Sequence, residues 1–163
     1  MKSMRQIFID SNIFTYLLTA HPVHGRACQQ LLEKVENGDL EAYISPLVID
    51  EVSYVLMVQT AKKTGGLLDP KSIKQEMFAS WQKCLDPVGK FYDYLDLLIS
   101  SGHLKVLSLD YSISRIALNC AKEYRLLPRD ALHVACCKAY GIKEMATNDG
   151  DFKRVSLLTL WKP

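Results

Sequence analysis

The sequence of 163 residues contains no Cys-x-x-Cys pair, no Gly/Ser linker, no low-complexity tract and no internal repeat. Its five cysteines are odd in number, with Cys136 and Cys137 adjacent, which argues against a disulfide framework. They read instead as small core hydrophobes in a reducing compartment. His21, His24 and Cys28 fall at near-helical spacing, but no fourth donor closes a zinc set around them. No apolar run approaches the length that spans a bilayer. The segment Met1 to Gln6 is basic, yet Asp10 cuts the apolar run behind it, so it does not read as a signal peptide. These absences point to a cytoplasmic protein with no membrane partner. A formal net charge of +2 neither demands nor excludes nucleic acid, so local clusters decide more than the total.

What is present is an alternation of short apolar runs with longer amphipathic ones. Ile7-Phe8-Ile9 reads as a buried parallel strand that ends in a carboxylate, Asp10. Ser11 or Asn12 caps a helix expected from about Ile13. A second helix follows Pro22 and stops at Asn37-Gly38. Ala42-Tyr43-Ile44 is the next strand, followed by a helix from Leu47 to about Ala61 with Ser45 as cap and Pro46 in its first turn. Lys62 to Pro70 reads as a loop, with Gly65-Gly66 and Asp69-Pro70 in it. Helical segments are expected over about Lys71–Cys84 and Pro87–Ser100, separated at Asp86-Pro87. Strands at Lys105–Leu107, Glu144–Thr147 and Ser156–Leu160 complete the pattern, with helices opening at Asp110 and at Pro128-Arg129-Asp130. The fold expected is a three-layer α/β/α sandwich with a mainly parallel, roughly five-stranded sheet. Ligands of such sheets sit at the carboxyl ends of the strands, where Asp10 and Asp149 both fall.

The acids stand in four places: Asp10 after the first strand, Glu51 near the start of a helix, Asp130 opening another, and Asp149 with Asp151 after the fourth strand. Each has a bland reading. Asp130 suits a helix start, Asp149-Gly150 suits a turn, and Glu51 suits a solvated helix face. Asp10 is harder to dismiss, because an acid ending a buried strand points into a cleft. Together, in this order, they favour a site.

The chain resembles the PIN-domain ribonucleases, of the kind that act as toxins in prokaryotic toxin–antitoxin pairs. The residues that carry the resemblance are Ile-Phe-Ile-Asp10-Ser-Asn12, Glu51, Arg129-Asp130-Ala-Leu-His-Val-Ala135 and Thr147-Asn-Asp149-Gly-Asp151-Phe152. The resemblance spans Ile7 to about Trp161, which makes residues 1–163 a single PIN-like domain. It implies a four-acid pocket of Asp10, Glu51, Asp130 and Asp149, with Asp151 as a possible fifth member. That pocket would hold Mg²⁺ or Mn²⁺ and cleave single-stranded RNA. Asn12, Thr147 and His133 would support it from outside. An antitoxin partner goes with the same resemblance, whereas a homodimer is the alternative use of the aromatic residues Phe78, Trp81, Phe91, Tyr92 and Tyr94. The chain departs from the compact toxin form in being longer, with a helical insertion expected at about residues 62–100. Asp50 beside Glu51 must face another way, since adjacent helical residues diverge.

The chemistry is coherent without the family. Phosphodiester hydrolysis brings a water-derived nucleophile to an anionic phosphate, and clustered carboxylates holding a hard cation serve both partners. His133, one turn after Asp130, reads more readily as a packed residue than as a phosphate contact. Ser11, Arg129, Lys153 and Arg154 flank acids and read equally as backbone contacts or solvated charge. Two other classes are open. A haloacid-dehalogenase-type phosphatase would need Asp-x-Asp after the first strand, but the second position is Asn12. A non-catalytic docking module on the same fold would have no need of all four acids. Phe78, Trp81, Phe91, Tyr92 and Tyr94 are expected to form an internal core for the inserted helices rather than a partner surface.

Overall fold

The computed structural model describes residues 4–66 and 69–163. Five parallel strands form one sheet in the order β3-β2-β1-β4-β5: β1 (Arg5–Ile9), β2 (Leu40–Ile44), β3 (Leu104–Val106), β4 (Glu144–Ala146) and β5 (Thr159–Trp161). The helices are α1 (Ser11–Leu18), α2 (Gly25–Glu36), α3 (Pro46–Gly65), α4 (Pro70–Ala79), α5 (Trp81–Ser100), α6 (Tyr111–Tyr124) and α7 (Pro128–Tyr140). A 3₁₀ turn over Gly150–Arg154 follows β4.

The order of strands assigns the layers. From β1 the chain steps outward to β2 and then β3, and only afterwards crosses back to β4 on the other side of β1. Right-handed crossovers therefore put α1–α5 on one face of the sheet and α6–α7 on the other. Ile7, Phe8 and Ile9 are completely buried because β1 is central and covered on both faces. The same geometry makes the gap between β1 and β4 the topological switch point. The chain leaves these neighbours in opposite directions, opening a crevice beyond their carboxyl ends. Asp10 follows β1, Asp149 lies three residues past β4, and the Asp10 amide donates to the Ala146 carbonyl at 3.0 Å.

Locally signalled elements match closely. Asp110 caps α6 by accepting from the Ile113 amide, and Gly141 ends α7 in the left-handed conformation at φ 71°. Differences arise where tertiary packing overrides a local cue. Helix α1 begins at Ser11, and its cap is Asp10, whose carboxylate accepts from the Ser11 amide; neither Ser11 nor Asn12 is the cap. Ser45 stands at the N-cap of α3 without a side-chain capping bond, and its buried hydroxyl has no partner among the described residues. Helix α3 continues to Gly65, leaving little of the loop expected from Lys62; Leu67 and Leu68 of that loop lie outside the described residues.

The break expected at Asp86-Pro87 falls at Ser80 instead, and Pro87 lies inside α5. Its missing amide costs one helical bond. The stripe Cys84, Val88, Phe91, Leu95 and Leu98 is buried across that point, and its burial keeps the helix continuous. The aromatic group of this region divides. Phe91 is fully buried, whereas Phe78, Trp81 and Tyr92 are exposed, so it is not one internal core. Strand β5 starts at Thr159, later than expected, because the Leu158 amide closes a turn onto the Val155 carbonyl.

Candidate active site

Five acids and one histidine line the switch-point crevice in two adjoining groups. In the first, Asp10, Glu51 and His133 each place one ligand-capable atom within 4.8 Å of the others. In the second, Asp130, Asp149 and Asp151 do the same. The structure sets His133 beside Asp10 and Glu51, and gathers Asp151 with Asp130 and Asp149.

Asp10 is held from three sides. Its Oδ1 accepts from the Ser11 amide at 2.7 Å, and its Oδ2 accepts from Asn12 Nδ2 and from the Thr147 hydroxyl, both at 2.6 Å. Only 5% of its surface is exposed. Burial raises its pKa, against the pull of the His133 charge and the bonds from Thr147 and Ser11. Asn12 is in turn fixed by the Asn148 amide, which donates to its Oδ1 at 3.1 Å. The Thr147 hydroxyl donates to Asp10 and accepts from the Asp149 amide at 3.0 Å. Two elements 135 residues apart in sequence are thereby locked at one carboxylate.

Glu51 enters from α3, one turn past its start, while Asp50 beside it is exposed. Burial would raise the Glu51 pKa, but His133 outweighs it by hydrogen bond and charge, helped by Ser11 and Arg129, so the carboxyl lies below its ordinary value. His133 Nε2 stands 3.2 Å from Glu51 Oε2. Its ring is 2% exposed and packs against Phe8 at 5.6 Å between centroids. Burial opposes its charge, yet the bond to Glu51 and the charges of Asp10, Glu51 and Asp130 raise its pKa above the ordinary 6.5. Arg129 reaches Glu51 only at 3.9 Å and is largely solvated, so this pair adds little.

The second group is more open. Asp149 starts the 3₁₀ turn, its Oδ1 accepting from the Asp151 amide at 2.8 Å. Asp151 pairs with Arg154 at 2.9 Å, and Arg154 also donates to the carbonyls of Tyr124 and Arg125. Arg154 is therefore engaged in the fold, and Lys153 is exposed. Burial first, then the charge of Asp149 and after it those of Asp10 and Asp151, raises the Asp130 pKa, against the pull of His133. Carboxylates of both groups, Asp149 and Asp151 on one side and Asp10 on the other, act on Asp130 as like charges. Hard oxygen donors with unrelieved repulsion are the donor set a divalent cation fits. His21, His24 and Cys28 form no such set: Cys28 is fully buried, and His21 Nδ1 accepts from the amides of Val23 and His24.

The family model described as the PIN domain matches residues 7–158. Among curated relatives, the chain is 32% identical over 155 residues to Ribonuclease VapC2 of Methanocaldococcus jannaschii, covering 95% of this chain and 92% of that one. It is 28% identical over 162 residues to Ribonuclease VapC6 of the same organism, covering 98% and 99%. Among solved structures, VapC20 of Mycobacterium tuberculosis, described as a sarcin–ricin loop cleaving toxin, superposes with a TM-score of 0.57 at 16% identity, covering 92% of this chain and 95% of that one. VapBC2 of Rickettsia felis, solved on a DNA fragment from its promoter, gives 0.56 at 15% identity, covering 96% and 98%. These structural likenesses are likenesses of fold.

Proposed function

The chain belongs to the PIN-domain family, and from that premise we propose that it is a metal-dependent endoribonuclease whose active site is the switch-point crevice. The observation that carries the reading is the convergence of Asp10, Glu51, His133, Asp130, Asp149 and Asp151 from four separate segments onto one crevice. Mg²⁺ or Mn²⁺ is the cation that such a carboxylate set suits. Asp10, Glu51, Asp130 and Asp149 hold it, with Asp151 as a fifth carboxylate. The ion supplies Lewis acidity and offsets charge on the transferring phosphate.

The chain's own residues do the remaining work. Asn12 and Thr147 fix the rotamer of Asp10 by donating to the same oxygen, and the Thr147 bond favours its charged form against the burial that opposes it. His133 keeps a proton at Nε2 toward Glu51 and so holds that carboxylate in place. In this reading the scissile phosphate sits beside these carboxylates. Arg129 at the rim meets the phosphate backbone. Asn12 donates to Asp10 and carries no acidic proton, which removes the phosphatase alternative.

Residues 1–163 form one nuclease domain in this reading, with a helical insertion at about 62–100. The substrate is single-stranded RNA, whose backbone can enter an open acidic crevice. By analogy with the VapC relatives, the chain is the toxin of a cytoplasmic toxin–antitoxin pair. Purified protein should cut labelled single-stranded RNA in Mg²⁺ or Mn²⁺, leave DNA of the same sequence intact, and stop in EDTA. Full cleavage in EDTA would overturn the reading. A neighbouring gene encoding a small DNA-binding protein with a disordered tail, whose product suppresses cleavage, would identify the antitoxin.

A further inference from the structure

Three aromatic rings gather beside the acids without entering the catalytic set. Tyr16 of α1 lies 4.6 Å from His21 and 5.1 Å from His24, centroid to centroid, and the two histidines stack at 5.0 Å with 23° between planes. All three are half-buried, and Val23 beside them is 74% exposed. The cluster is fixed before any ligand arrives. The His21 amide donates to the Tyr16 carbonyl at 2.9 Å, and the Gly25 amide to the His21 carbonyl at 2.9 Å. His21 Nδ1 accepts from two backbone amides. A Cβ at Gly25 would stand 3.2 Å from the Tyr16 carbonyl oxygen, so only glycine lets the two helices meet this closely without a shift.

The cluster is wired to the acids through one residue. Asn148 Nδ2 lies 3.1 Å from the Tyr16 hydroxyl and 3.4 Å from His24 Nε2, while the Asn148 amide donates to Asn12, the residue that holds Asp10. Asn148 sits between Thr147 and Asp149. The rings are therefore joined through Asn148 to the residue that holds Asp10. The Tyr16 hydroxyl accepts from Asn148, and among the described residues it donates to no side chain or carbonyl, so its proton is available to a base or ribose edge.

We propose that Tyr16, His21 and His24 form a stacking platform for the base of one RNA nucleotide next to the scissile phosphate, and that Asn148 sets the spacing between platform and acids. This rests on the ribonuclease reading. Every base has a π-face, and single-stranded RNA leaves bases unstacked, so a fixed aromatic surface beside a phosphate-cleaving centre matches that substrate. The rings position the strand and do not touch the reacting atoms.

The test uses short single-stranded RNAs with 2-aminopurine at successive positions, bound to the full chain in EDTA, beside cleavage mapping of the same RNA in Mg²⁺. Stacking quenches the probe. Wild type should quench it at one position next to the mapped cut. Tyr16→Leu and His24→Leu should lose that quench, and Tyr16→Trp, which keeps a ring, should retain it. In cleavage the leucine variants should raise KM about 5- to 150-fold, the fold-change expected for one stacked base, with a smaller change in kcat. An abasic site at that nucleotide should cost wild type the same factor and the variants nothing more. A quench that Tyr16→Leu and His24→Leu leave intact, or no position-specific quench at all, overturns the platform even when cleavage is normal. Quenching without cleavage would defeat the nuclease reading and leave the platform standing as an RNA contact. The absence of both defeats both.

Discussion

Replacing Asp130 by asparagine should stabilise the metal-free protein and destabilise the metal-loaded one relative to wild type. Asp130 accepts no hydrogen bond from a described residue, and its carboxylate lies within 4.8 Å of those of Asp149 and Asp151. At about 5 Å in an effective dielectric of roughly 40, one pair of unit charges costs about 1.7 kcal/mol. Partial exposure and solvent screening cut this at least by half. Asp130 also stands in the first turn of α7, where the helix dipole favours a carboxylate by about 0.3–1 kcal/mol. Repulsion and burial win, because the net displacement of its pKa is upward. A gain of about 0.5–1.5 kcal/mol is expected for Asp130→Asn in EDTA, a Tm rise of about 1–5 °C for a chain of this size. Saturating Mg²⁺ at about 100 times its Kd adds about 2.7 kcal/mol to wild type and less to the variant, which has lost a ligand. The two Tm values should therefore change order between EDTA and Mg²⁺.

The pH dependence carries the same sign. With its folded pKa above the ordinary 3.8, Asp130 binds its proton more tightly in the folded state, so its contribution is present at low pH and is lost as pH rises through the raised value. The EDTA gap between variant and wild type should be small below about pH 4, where an unperturbed Asp is protonated, and full at neutral pH. Thermal unfolding with and without metal across that range reads all of this. A variant less stable than wild type in EDTA at pH 7 would refute the reasoning, since it would make Asp130 a structural capping residue.

Asp10→Asn should abolish cleavage while leaving a cooperatively unfolding protein. The new amide meets Asn12 Nδ2, whose own oxygen is held by Asn148, and that orphaned donor costs about 1–3 kcal/mol, offset by relief of a buried charge. His133 should titrate above 6.5 in metal-free protein by NMR, and added Mg²⁺ should lower that value. Its cationic form contributes stability below 6.5 that is lost as pH rises through the folded value, while Glu51 contributes above 4.5 and is lost on acidification, so the pair stabilises most between about 4.5 and 6.5. Gly38→Ala should lower Tm by several degrees without changing kcat. Its φ is 76°, its Cβ would lie 2.9 Å from His103 Nε2, and left-handed strain alone costs about 1–2 kcal/mol.

What could be read from the sequence was what is encoded locally. An acid closing a buried strand, an aspartate three residues before a helical amide, and a glycine ending α7 each announce themselves within a few residues, as Asp10, Asp110 and Gly141 do. The alternation of strands and helices then implied the layers. Pro87 misled because its local cost is visible in sequence, whereas the stripe from Cys84 to Leu98 that outweighs it acts through packing against other elements. The two side-chain groups were not legible as groups. Glu51 and His133 lie 82 positions apart, and no spacing rule joins them. The nearest signal was that His133 follows Asp130 at i+3 and so shares its face of α7. Asn148 gave no signal, since an asparagine before Asp-Gly reads as turn chemistry.

The central claim is that this crevice cleaves RNA by delivering water to the phosphate with the help of a divalent cation. Cleavage of a defined single-stranded RNA in H₂¹⁸O with Mg²⁺, followed by mass spectrometry of the products, tests it most directly. The account predicts a linear phosphate monoester carrying one ¹⁸O, no 2′,3′-cyclic phosphate, and no product in EDTA or from Asp149→Asn. A cyclic phosphate formed at an undiminished rate in EDTA would contradict it, because the 2′-hydroxyl would then be the nucleophile and the carboxylates would have no part in the reaction.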